Sequence, residues 1–133
     1  MSITGVRHVA LTVSDLDRSA SWYADVLGFI ELFHESHPDR STVILRVPET
    51  GVLVGLVQFT AAVPGRFAPQ RVGLDHLCFA VATREEMLTW TRRPEERGIS
   101  HSGVLQMKTG PIVNFTDPDG IALSFALPPP LSQ

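Results

Sequence analysis

The hydrophobic and polar positions of this 133-residue chain fall into a pattern that occurs twice. Residues 6–13, Val-Arg-His-Val-Ala-Leu-Thr-Val, set bulky β-formers at alternate positions, as a half-buried strand does, and residues 74–81, Leu-Asp-His-Leu-Cys-Phe-Ala-Val, repeat this. After each strand the period becomes helical. In the first copy Ser14 or Asp15 is the expected N-cap, Leu16, Ala20, Tyr23 and Leu27 form an apolar stripe, and Gly28 closes the helix. In the second copy Thr83 is the expected cap, with Glu86 completing a capping box, and Met87, Leu88 and Trp90 form the apolar side. Pro94 is expected to end or kink that helix near Arg93. Three further strands are predicted in each half, over 29–34, 42–47 and 52–59 and over 100–105, 111–116 and 121–126. Pro48-Glu49-Thr50-Gly51 and Asp117-Pro118-Asp119-Gly120 supply turn chemistry between the last two strands of each set.

Aligning the chain with itself turns the pattern into a repeat. At an offset of 68, Gly5 meets Gly73, His8 meets His76, Val13 meets Val81 and Trp22 meets Trp90; at 70, Leu27-Gly28-Phe29 meets Arg97-Gly98-Ile99. The expectation is one α+β domain made of two βαβββ modules, about 3–60 and 73–127, forming curved mixed sheets around a cleft. Residues 61–72, with Pro64, Gly65 and Pro69, read as a linker, and 128–133 as a Pro-rich tail.

Alternation across a strand groups His8 with Ala10 and Thr12, and His76 with Cys78 and Ala80. Val9, Leu11 and Val13, and Leu77, Phe79 and Val81, take the other face, which is expected to pack under the helices. Ala122, Ser124 and Ala126 make a similar small-residue face on the last strand. A sheet curled around small residues leaves a concave space for a ligand or lets another layer pack closely. Asn114 would add a polar orienting group to such a space.

Composition narrows the partners. Eleven Lys and Arg against 14 Asp and Glu give a net charge of -3, which does not favour nucleic acid or an anionic membrane surface. The longest uncharged run, Thr50 to Gly65, is shorter than the roughly 20 residues of a spanning helix. The single Cys78 rules out an intrachain disulfide, and a cytoplasmic location is the expectation.

His8 and His76 are the leading candidates for chemistry. Each is either a half-buried strand histidine bonded to a neighbour or a ligand, and neutral imidazoles at equivalent points of a repeat suit a divalent ion. A metal site needs further donors, preferably carboxylates, and the last strand offers Ser124 instead. Gln58 is the ligand-capable side chain of strand 52–59, but matching the hairpins by Gly51 and Gly120 sets Gly55, not Gln58, opposite Ser124. His34-Glu35-Ser36-His37-Pro38-Asp39-Arg40 falls one residue short of a His-Glu-x-x-His motif and reads as a solvated loop. His101 has no partner at usable spacing, Asp117 to Gly120 reads as a turn rather than a calcium loop, and Cys78 reads as a small core or cavity residue. Trp22, Tyr23 and Trp90 read as core.

Two βαβββ copies with His-Val-Ala-Leu-Thr-Val-Ser-Asp-Leu-Asp-Arg-Ser, Trp-Tyr-Ala-Asp-Val-Leu-Gly-Phe, Gly-Leu-Asp-His-Leu and Asp-Pro-Asp-Gly-Ile-Ala-Leu-Ser-Phe resemble the vicinal oxygen chelate superfamily. That group includes glyoxalase I, bleomycin-resistance proteins, methylmalonyl-CoA epimerase and extradiol dioxygenases, and the resemblance covers about residues 3–127. It implies a fold, while functions within the family diverge. In the family's metalloenzymes one ligand comes from each of four strands, often two His and two Glu, with Gln as an occasional replacement. The resemblance makes His8, His76 and Gln58 the candidate ligands of a divalent ion (Zn, Ni, Mn, Fe or Co), with Ser124 where the final Glu belongs. Metal-free members bind antibiotics in the same clefts, commonly as dimers whose modules pair between chains, and this chain departs in their direction. The expected function is capture of a small, partly apolar organic molecule by a homodimer, with His8, Thr12, Gln58, His76, Asn114 and Ser124 as contacts, in resistance or sequestration. The alternative is a metal-dependent lyase, isomerase (or epimerase) or oxygenase acting on vicinal oxygens.

Overall fold

A computed structural model describes residues 1–96 and 98–129. Its elements run β1 (His8–Thr12), α1 (Leu16–Leu27), β2 (Ile30–Ser36), β3 (Arg40–Arg46), β4 (Leu53–Phe59), β5 (Leu77–Ala80), α2 (Arg84–Glu96), β6 (His101–Met107), β7 (Gly110–Thr116) and β8 (Ala122–Ala126). The chain divides into two compact units, Met1–Gly65 and the residues from Arg66 onward. Each contains one four-stranded mixed sheet and one helix, ordered β1-β4-β3-β2 in the first and β5-β8-β7-β6 in the second. The α+β architecture of two βαβββ modules follows the repeat. No helix or strand is assigned over 60–76, where the linker is expected. The expected tail lies outside the described residues from Pro130 on.

In both units the first strand pairs parallel with the last, and the other neighbours are antiparallel. A parallel pair needs a crossover long enough to return the chain to the same end, and the helix with two intervening strands provides it. Sheet one packs one face against α1. Val43, Leu45, Val54 and Leu56 are fully buried there, with Leu11 alongside, and α1 contributes Leu16, Ala20, Tyr23 and Val26. Side chains of this size each contribute about 1.5–3 kcal/mol when fully buried. In unit 2 the Trp90 ring lies 4.4 Å, centroid to centroid, from both Phe115 and Phe125, with Met87, Val113 and Leu123 buried. Trp22 is only half-buried, so the core position in α1 belongs to Tyr23, which packs edge-on against Trp22 and 5.8 Å from Phe29.

The helix ends explain their placement. Asp15 caps α1, its carboxylate accepting the Arg18 N–H at 3.0 Å, and Gly28 closes the helix at φ 71°. Thr83 and Glu86 form the reciprocal box: the Glu86 N–H donates to Thr83 Oγ1 at 3.1 Å and Glu86 Oε2 accepts the Thr83 N–H at 3.2 Å. The helix does not end at Arg93. It continues past Pro94 to Glu96, with Met87 and Trp90 buried in the preceding turns.

Residues 34–40 are a second correction. His34, Glu35 and Ser36 are the end of β2 and Arg40 opens β3, so the segment is a hairpin tip rather than a loop, closed by the His37 N–H on the Arg40 carbonyl at 2.8 Å. His34 and Glu31 are in contact, and His37 lies 3.5 Å from Glu35. Between Glu31 and Phe33 the β2–β3 register shifts by a bulge. The second turn forms as expected: Asp117 Oδ1 accepts the Asp119 and Ile121 N–H groups at 2.9 and 2.8 Å, so its carboxylate serves the turn itself. No helix among the described residues is long and apolar enough to cross a membrane.

Removing the reciprocal cap should be measurable. Thr83→Ala is expected to cost about 1 kcal/mol in urea unfolding. Thr83→Ser, which keeps the hydroxyl, is expected to stay within about 0.5 kcal/mol of the parent.

Candidate functional site

Strand register fixes which side chains share the face away from the helices. Residues directly opposite one another project to the same side of a sheet. In unit 1, His8 pairs with Leu53, Ala10 with Gly55 and Thr12 with Val57. In unit 2, Cys78 pairs with Ser124, Ser124 with Asn114, and Ala126 with both Ala80 and Ile112. The repeat offset of 68 equates Ala10 with Cys78, so Gly55 is the counterpart of Ser124, as the hairpin matching indicates. The centre of one open face is therefore Ala10-Gly55-Ile44, and of the other Cys78-Ser124-Asn114.

The candidate residues are placed as follows. His8 and Thr12 are exposed on the open face of unit 1. His8 Nδ1 accepts from the Arg7 guanidinium at 3.1 Å. His76, just ahead of β5, is also exposed, with its Nδ1 2.7 Å from the Asp75 carboxylate. Asn114 is exposed, and its backbone N–H donates to Ser102 Oγ at 2.9 Å. Ser124 is fully buried, and its hydroxyl has no hydrogen-bond partner. Cys78 is exposed on the face it shares with Ser124 rather than in the core. His101 Nδ1 accepts the Gly103 N–H at 2.9 Å, a local structural bond.

Gln58 is not with His8. It alternates with the buried Val54 and Leu56, on the helix side of the sheet, and its Oε1 accepts the Leu16 N–H at 2.8 Å. That bond satisfies one of the amide groups left open at the start of α1. Within unit 1 the proposed ligands His8 and Gln58 lie on opposite faces of the sheet.

Two hollows accompany the sheets. In unit 2 a cavity of about 550 Å³ is lined by Asp75, His76, Ser100, Asn114 and Thr116 on its polar side and by Met107, Ile112 and Ala122 among its apolar groups. In unit 1 a hollow of about 370 Å³ gathers around the start of α1, with Asp17, His34, Glu35 and Gln58 in its wall. Arg7, Asp75, Ser100, Thr116, Met107 and Ile112 were not among the expected site residues. The signal for the first two was present: each directly precedes a repeated histidine and carries a charge.

The family model described as Glyoxalase/Bleomycin resistance protein/Dioxygenase superfamily matches residues 5–125. This chain belongs to that superfamily. Among solved structures it is similar to the glyoxylase/bleomycin resistance protein/dioxygenase domain from Frankia sp. EAN1pec, at 32% identity and TM-score 0.89, over 95% of this chain and 98% of that one. TnmS3, an antibiotic binding protein from Streptomyces sp. CB03234, shares the fold at 20% identity and TM-score 0.73, over 96% and 98% of the two chains. MhqA of Bacillus subtilis (strain 168), provisionally named a ring-cleaving dioxygenase, is 27% identical over 90% of this chain, which spans only 38% of MhqA.

Members of the superfamily commonly use divalent metals, so the donors here bear on function. Among the described residues no group of three or more His, Cys, Asp or Glu is placed to hold a metal ion. On the open face of unit 1, His8 is paired with Leu53 and shares the face with Ala10, Gly55 and Thr12; in unit 2, His76 precedes the strand that carries Cys78 beside Ser124, and Asp75 is bonded to its ring. A divalent ion held by protein commonly has three or four protein donors. Neither unit by itself brings three such donors together among the described residues.

The role of Gln58 separates cleanly by mutation. Gln58→Ala is expected to lower unfolding stability by about 1 kcal/mol through the lost bond to α1, whereas Thr12→Ala on the open face is expected to change it by less than about 0.5 kcal/mol. Equal effects in urea titrations would contradict a structural role for Gln58.

Proposed function

We propose that this chain is a metal-free binding protein that captures a small, partly apolar organic molecule on the open faces of its sheets, acting as a cytoplasmic homodimer in resistance or sequestration. The observation that carries this reading is the pair Gly55 and Ser124. These equivalent positions at the centre of the two open faces are uncharged and small, and Ser124 stands where the resemblance calls for a carboxylate. A Cβ added at Gly55 would meet Ile44 and Ala10 at ordinary contact distances of 3.5 and 3.6 Å, so the floor is small by composition and not for want of room. The cavity of about 550 Å³ in unit 2, lined by both apolar and polar residues, suits a compact organic ligand. TnmS3, an antibiotic binding protein, supports it by sharing the fold.

A second reading is favoured by one contact. A carboxylate on the distal nitrogen of an imidazole is the support that metal-bound histidines commonly have, and Asp75 provides it for His76. With the likeness to MhqA, this supports a metal-dependent lyase, isomerase, epimerase or oxygenase, using Zn, Ni, Mn, Fe or Co.

Thermal shift against a panel of aromatic antibiotics and metabolites tests the first reading. A ligand at one hundred times its Kd adds about 2.7 kcal/mol, and at about 4 °C per kcal/mol for a domain of this size Tm rises by about 10 °C. No stabilisation at concentrations far above micromolar would overturn binding. Stoichiometric metal in protein purified without chelator, lost in His8→Ala and His76→Ala, would instead establish the second reading.

The dimer rests on apolar surface left open in each chain. Ile30, Leu32 and Phe33 are 41%, 44% and 47% exposed along the edge strand β2, and Leu105 and Met107 are exposed along the edge strand β6. Light scattering is expected to give about twice the 14.6 kDa chain mass. A mass of one chain at micromolar concentration would remove the dimer from the proposal.

A further inference from the structure

The two repeated histidines occupy equivalent positions, but the residue ahead of each differs in charge: Arg7 before His8 and Asp75 before His76. Each neighbour bonds Nδ1 of its histidine, at 3.1 Å for Arg7 and 2.7 Å for Asp75. A guanidinium only donates and an ionised carboxylate only accepts. The Nδ1 that meets Arg7 must therefore carry a lone pair, and the Nδ1 that meets Asp75 must carry a proton. In a neutral imidazole the second nitrogen takes the opposite role.

We propose that Arg7 and Asp75 are positioning residues that hold the two histidines in opposite tautomers, and that His76 thereby makes the unit 2 cavity selective for a neutral ligand with an acidic hydroxyl on an apolar body. This rests on the binding reading above and names its ligand class. His8 offers an N–H at Nε2 and suits a carbonyl or another acceptor. His76 offers a lone pair at Nε2 and suits an O–H donor. His76 lines the cavity with Asn114 and Thr116, whose side chains each donate and accept and so do not select one polarity. Met107 and Ile112 supply the apolar part of the wall. The Asp75 carboxylate in the same wall repels an anion, so a neutral hydroxyl is favoured over a carboxylate ligand.

The tautomers can be read in the ligand-free protein. Long-range ¹H–¹⁵N spectra of ¹⁵N-labelled protein at about pH 8.5, above the ordinary imidazole range, are expected to show His76 protonated at Nδ1 and His8 protonated at Nε2. Asp75→Leu should release the His76 ring from that state, toward the Nε2–H form that an unpartnered ring prefers, and Asp75→Glu should restore it. Matching tautomers in the parent protein, or a His76 spectrum unmoved by Asp75→Leu, would overturn the assignment.

The ligand class has its own arm, with 2-naphthol, 2-methoxynaphthalene and 2-naphthoate as probes followed by the ring signals of His76. The naphthol is expected to bind at least tenfold more tightly than the ether or the carboxylate, with that preference lost in Asp75→Leu. Equal binding of naphthol and ether, or binding of none of the three, overturns the ligand class, while the tautomers stand or fall on the spectra alone. Failure of the binding reading is distinct, since it requires that the broad thermal shift panel also yield nothing.

Discussion

The parallel pairing of the first strand with the last strand of each module is the constraint on which the rest of the structure depends. It fixes His8 opposite Leu53, Ala10 opposite Gly55 and Cys78 opposite Ser124, and with them the face to which every other strand residue turns. A slip of one residue in β1 against β4 would carry His8 to the helix side and bring Val9 and Leu11 out into water. The caps serve the same pairing. Asp15 and Gln58 define where α1 begins, three residues beyond β1, and the Asp117 turn sets the start of β8.

Packing energy is divided unequally between the two faces of each sheet. The helix side holds the large, fully buried apolar side chains, among them Tyr23, Leu45, Leu56, Met87 and Leu123. The open side has small residues at its centre, Ala10 and Gly55 in one unit and Cys78 and Ser124 in the other, which bury less area than the large side chains opposite. The Ser124 hydroxyl is buried there without a protein hydrogen-bond partner. A face that does not carry the fold is free to vary with the ligand, and the superfamily's range of activities is consistent with such a division.

Most of the architecture was legible in the sequence because it rests on local rules: period-2 strands, a cap at Asp15, a capping box at Thr83 and Glu86, and a repeat that doubled each signal. What was not legible depends on register or on a neighbour. Gln58 is the one obvious polar ligand type on its strand, yet an unbonded amide at the start of α1 claims it, and only the pairing of β1 with β4 shows this. The segment from His34 to Arg40 reads as a loop because all of it but Pro38 is polar, yet the polar end of an edge strand still holds its ladder to β3. The helix passing Pro94 reflects tertiary packing overriding a local preference. Arg7 and Asp75 carry opposite charges at equivalent positions, and only their contacts with Nδ1 of the neighbouring histidines give them a place in the site.

The bulge in β2 has a consequence for the chain as a material. All seven residues of this edge strand are exposed, and three of its first four are large and apolar, a composition that invites strands from other molecules to add on and grow into aggregates. The register shift between Glu31 and Phe33 breaks the strand's even spacing of backbone donors and acceptors, and Glu31 and Glu35 put charge along the edge. An incoming strand finds no long, flat, neutral template there. The irregularity that interrupts one ladder thus limits open-ended polymerisation, leaving the apolar side chains of β2 available for contacts that close.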